Sequence, residues 1–215
     1  MTFVPSETER STAATDALLG LVSLALAVVL ITTPTSAGWK RNIWVGVLLL
    51  TSCGSLLGAV AHGIVLRDAV LSALWKPLYL SLGLAVALVL VGAARDWWGE
   101  PVAQLMLPWA IAAALAFFAA SQLLGGAFVV FIVYEGVATT AALVIYVTLA
   151  IRGVLPGASA IAAGIFISLV AAVVQVSSLR LRVGVTFDHN GLFHLIQTVG
   201  ITVMTVGVRS SLVRG

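Results

Sequence analysis

The chain has three histidines, His62, His189 and His194, and two of them open the last apolar segment in the stretch Asp188-His189-Asn190-Gly191-Leu192-Phe193-His194. Imidazole is the commonest metal ligand and the side chain that most readily exchanges a proton near neutral pH. Zinc sites that do chemistry use three protein ligands and a water whose pKa falls to about 7. At helical spacing Asn190, His194 and Thr198 share one face, whereas His189, five residues before His194, points elsewhere on a regular helix. Asn190 offers a third ligand beside the two imidazoles of His62 and His194, but a neutral amide oxygen is a poor zinc donor. Read from the residues alone, these groups are either a polar site or hydrogen-bonded packing and interfacial side chains.

Glu135, in Tyr134-Glu135-Gly136, is the carboxylate set deepest in an apolar run. Placing it in hydrocarbon costs about 3 kcal/mol, so it must face the interior of a bundle or a water-filled cavity. It can serve as a metal ligand or general base, or as a neutral structural acid partnered by Gln104, Gln122 or Gln175. Counting from residue 127 sets it about 13 Å deep, which favours lining a cavity over direct contact with His194.

The elements that position these groups follow from composition. Of 215 residues, 61% are hydrophobic and 9% charged, and the mean hydropathy is +1.15. Soluble domains carry about 25% charged residues, so this is an integral membrane protein in contact with lipid. Apolar runs of roughly 20 residues, each able to cross a core of about 30 Å, recur seven times. They fall at 16–33, 42–65, 71 or 77–94, 102–124, 127–151, 158–178 and 190–208. The expected fold is all-α, an integral membrane bundle of seven transmembrane helices with short connections. It divides into a polar N-terminal tail (1–13), one helical domain (14–210) and a short C-terminal tail (211–215). The third span begins either as an interfacial helix followed by a span from Pro77, or as one longer kinked helix. Trp39, Trp44, Trp75, Trp97 and Trp98 read as an aromatic belt at span ends. Gly54 and Gly58 read as a small-xxx-small packing pair, and Pro108 as a kink in span four.

The net charge of +3 is dispersed, with no basic patch for nucleic acid. The single cysteine, Cys53, permits no intramolecular disulfide. The first residues lack the basic region of a signal peptide, so the first span is expected to be retained. The 11 Lys and Arg divide almost evenly between the two faces. The acidic residues Glu7, Glu9, Asp16, Asp68 and Asp188 lean toward an outside N-terminus and a cytoplasmic C-terminus. Paired broken helices and repeats, the marks of many transporters, are absent from the sequence pattern.

Seven spans place the end of span two, the start of span three and the start of span seven at one membrane face. There the pattern resembles the CREST superfamily of seven-span proteins, which includes alkaline ceramidases, hemolysin III proteins and the progestin and adipoQ receptors. In those families a Ser-xxx-His motif ends span two, an aspartate lies near the start of span three, and a His-xxx-His motif opens span seven. Here the motifs read Gly58-Ala59-Val60-Ala61-His62, Tyr79 in the aspartate's place, and Asn190-Gly191-Leu192-Phe193-His194. The resemblance implies a metal set of His62, Asn190 and His194 holding Zn2+. It further implies hydrolysis of an amide or ester bond in a lipid entering from the bilayer, assisted by Tyr79 or Glu135. The three departures, at Gly58, Tyr79 and Asn190, favour the alternative of a non-catalytic lipid-binding or receptor-like protein with a degenerate metal site.

Overall fold

A computed structural model describes residues 2–124 and 128–214. Seven long helices form: α1 Glu7–Ile31, α2 Gly38–Gly63, α3 Asp68–Trp98, α4 Glu100–Leu123, α5 Phe128–Arg152, α6 Ala158–Gln175 and α7 His189–Val213. All seven are long and apolar enough to cross a membrane. The expected start of span five at Ala127 lies outside the described residues, as do Met1 and Gly215 of the two expected tails.

The outer surface is what a bilayer requires. Leu105, Trp109, Val137 and Ile151 are each about 70% exposed or more (70%, 74%, 69% and 82%), a display that water would penalise and lipid does not. Inside, α1 packs on α2 and α7, α2 on α3, α3 on α5, α5 on α6, and α6 on α7. These contacts close a ring of six helices. Helix α4 sits outside it, against α3 and α5.

Helix starts follow local chemistry. Ser6 accepts a hydrogen bond from Glu9 N (3.4 Å), and Glu7 and Glu9 lie in the first turn where the helix dipole favours negative charge. Helix α1 therefore begins within the segment expected as a tail, roughly two and a half turns ahead of Asp16. Asp188 caps α7, its Oδ1 accepting from Gly191 N at 3.0 Å. Gly157, at φ 82°, precedes α6, and a Cβ there would meet Gly207 O at 2.2 Å. Only glycine combines that backbone angle with that approach.

The choice left open for the third span is decided, and one expectation is corrected. Residues 68–98 form one continuous helix through Pro77, not an interfacial helix and a separate span; the proline forfeits one backbone hydrogen bond near the helix start. Trp44 is not in an aromatic belt: it is 1% exposed, its ring set against Gly92 and 6.4 Å from the ring of Tyr146. The connection between α6 and α7 forms a hairpin, β1 (Leu181–Val183) paired antiparallel with β2 (Val185–Phe187) around Gly184.

Candidate functional site

The face that holds the N-terminus is tied together by the first residues of the chain and the start of α1. Val4 N donates to Gly63 O (3.1 Å) and Val65 N to Thr2 O (2.9 Å), so the first residues pair with the α2–α3 junction. Ser11 Oγ donates to Thr186 O (2.8 Å), and Thr12 Oγ1 to Asp188 Oδ1 (3.0 Å), which fastens α1 to the hairpin and to the cap of α7.

Beneath this layer lies a cavity of about 400 Å³. All five sequence-predicted site residues, His62, Tyr79, Glu135, Asn190 and His194, line it. Its wall is drawn from every helix of the ring and from none of α4. Along α7 it runs from His189 and Asn190 to Met204, and along α3 from Trp75 to Val89, about 21 Å of helix in each case. Polar groups crowd the end near the α7 cap; Val47, Val89, Ile165 and Met204 line the other.

His194 is buried and engaged through both ring nitrogens. Nε2 lies 3.1 Å from Asp16 Oδ1, and Nδ1 3.3 Å from Thr15 Oγ1. The Thr15 hydroxyl also lies within reach of Ser11 O (3.1 Å) and Thr12 O (2.9 Å), so the tautomer of His194 decides whether Thr15 accepts from Nδ1–H or donates to Nδ1. His62 is engaged elsewhere: its Nδ1 is 2.7 Å from Glu9 Oε2, and Trp75 meets its ring edge-on at 5.5 Å. Tyr79 packs beside Trp75, the ring centroids 6.3 Å apart.

Asp16 is the residue that sequence reasoning missed. Placed at the edge of an expected span, it read as an interfacial charge, whereas the earlier start of α1 carries it inside the bundle, 4% exposed. Its seat exists because position 58 is glycine. A Cβ on Gly58 would lie 2.5 Å from Asp16 Oδ2 and 3.0 Å from its Cγ. The Gly54/Gly58 pair thus packs closely, but at Gly58 it receives a carboxyl group rather than a helix backbone. Gly58→Ala should displace Asp16 from His194 and cost about 1–3 kcal/mol of stability, read as a lowered unfolding midpoint of the purified protein.

Other expectations resolve individually. Thr198 is not in the cavity: its Oγ1 donates to His194 O (2.7 Å), and Gln197 and Ile201 continue the wall instead. His189 does line the cavity, because as the first residue of α7 it stands at the rim, where the helix end rather than helical phase sets the wall. Of the glutamines considered for Glu135, Gln104 bonds to Glu100 (3.2 Å) and Gln122 to Ser121 (3.2 Å); Gln175 shares the cavity. Among the described residues no side chain donates to the Glu135 carboxyl, and only its backbone oxygen accepts, from Thr139 Oγ1 at 2.5 Å.

The donor set does not fit a metal as arranged. Both nitrogens of His194 and one of His62 are already paired, and among the described residues no three His, Cys, Asp or Glu side chains group so as to hold an ion. Seven membrane-length helices fit seven-span families in general, and among the described residues no ligand cluster marks a zinc-holding one.

The sequence matches, over residues 11–213, the model of a family of unknown function, DUF6962. No curated protein and no solved structure matches it.

Proposed function

The chain belongs to the DUF6962 family, and on that premise we propose that it is a non-catalytic seven-helix membrane protein that binds an amphiphilic molecule in the cavity of its six-helix ring. The observation that carries this reading is the polarity of that cavity. Its end near the α7 cap gathers Asp16, His62, Asn190 and His194, its interior is apolar, and the would-be metal ligands pair with other side chains. Ligand sites have this composition, a mainly apolar hollow with a few placed polar groups. A volume of about 400 Å³ lies within the usual range for small ligands. The reading stands against a zinc-dependent lipid amidohydrolase of the CREST kind, in which His62, Asn190 and His194 would be ligands and Tyr79 or Glu135 would assist.

One experiment separates the two. Protein purified without chelator into lipid nanodiscs is analysed for zinc by elemental analysis and for retained amphiphile by native mass spectrometry. The expected result is about one amphiphile per chain, displaced in Ser168→Phe, which fills the cavity from α6, with no stoichiometric zinc. Near one zinc per chain, lost in His194→Ala, would overturn this reading and restore the hydrolase. Zinc gained only by Asn190→His would identify a scaffold whose centre has been dismantled.

A further inference from the structure

Resting on that reading, we propose that the cavity selects an amphiphile bearing an amine, whose ammonium group is held at mid-depth by Glu135 and Gln197. Three observations support this. Glu135 lines the cavity with a carboxyl that no described side chain serves as donor. Gln197 lines it too, and its Oε1 is buried without a hydrogen-bond partner. No Lys or Arg lines the cavity at all, among the described residues.

Helix geometry brings these groups to one level. Glu135 lies about 10 Å from the start of α5, Gln197 about 12 Å from the start of α7, and Ser168 about 10 Å from the end of α6. All three counts begin at the same face of the bundle. Ser168 Oγ donates to Gly164 O (3.0 Å), so its oxygen is another acceptor facing this layer. Phe131, one turn before Glu135, adds an aromatic wall.

The layer thus offers acceptors from Glu135, Gln197 and Ser168, while its own donors are the Gln197 amide and a Ser168 hydroxyl already given to Gly164 O. Buried polar groups left unpaired are costly, so the occupant that satisfies this layer brings the donors. An ammonium supplies three N–H groups and the charge that complements a carboxylate, and a charge-assisted hydrogen bond is roughly twice as strong as a neutral one. An alcohol supplies one donor and no charge. The apolar residues beyond, Val89, Ile165 and Met204 among them, accept the hydrocarbon.

The test compares octylamine with octanol, matched in chain length, against the full chain in phosphatidylcholine nanodiscs, with binding read by native mass spectrometry and by the emission of Trp75 at the cavity wall. Octylamine is expected to bind at least tenfold more tightly than octanol. Glu135→Gln is expected to remove that preference. Gln197→Leu, on a different helix, is expected to weaken the amine severalfold, so the proposal stays open to refutation where the Glu135 variant fails to fold. Equal binding of amine and alcohol, or an amine preference that survives both substitutions, overturns the amine assignment while leaving amphiphile binding intact. Binding of neither probe overturns both.

Discussion

Lys40→Met should be the most damaging single substitution in the bundle, lowering stability by about 3–5 kcal/mol. Lys40 and Asp96 are fully buried, with Nζ 2.7 Å from Oδ1. Asp96 also accepts from Tyr146 Oη (3.1 Å) and from Arg95 Nη1 (3.2 Å), so three elements converge on one carboxylate. Removing the ammonium leaves Asp96 deep in the protein with two hydrogen bonds and the mostly buried Arg95 guanidinium in place of its closest counter-charge. Breaking a buried pair from one side is far more harmful than replacing both partners. The double variant Lys40→Met/Asp96→Leu should therefore recover much of the loss. Unfolding midpoints of the two variants in one detergent would settle it, and equal destabilisation by both would show that the pair itself contributes little.

Gly164→Ala comes second, with an expected loss of about 2–3 kcal/mol, near the upper end for overpacked sites. A Cβ at that position would stand 2.5 Å from Met204 N and 2.6 Å from Gly200 O, which are backbone atoms with no rotamer to change. Helices α6 and α7 would have to separate. Close backbone approach through small residues is how membrane helices associate when lipid supplies no hydrophobic drive, so separation gives up contact along the whole pair. Because Ile165, Gln197, Ile201 and Met204 line the cavity on these two helices, the same substitution should change amphiphile binding together with the unfolding midpoint. A variant that loses stability with binding unchanged would place the cavity's determinants elsewhere.

Much of this architecture is legible in the amino-acid sequence because the bilayer imposes a length on each span, and seven runs meet it. Helix ends are less legible. Hydropathy locates the hydrocarbon core and not the helix, and α1 extends past the core into Ser6, Glu7 and Glu9, where capping rather than hydrophobicity decides. That extension is why Asp16 was placed at an edge and its meeting with His194 went unseen. A tryptophan near a span end, such as Trp44, looks interfacial until its contact with Gly92 on another helix is known. The hairpin did carry a signal: Leu181, Val183, Val185 and Phe187 alternate with Arg182, Gly184 and Thr186, the period of a strand. At the candidate site, span order brings His62, Tyr79, Asn190 and His194 to one membrane face, while depth alone leaves Glu135 as the lining of a cavity nearer mid-membrane. Their pairing could not be assigned, since Glu9, Thr15 and Asp16 reach the site from a helix that the motifs do not include.

Trp44 and Tyr146 close the bundle immediately below the last cavity residues of α2 and α3, Val47 and Val89, and the Lys40–Asp96 pair lies beyond them. The hollow is therefore walled off at that end of the bundle. On the binding reading proposed above, that wall sets how long a hydrocarbon tail the cavity can take.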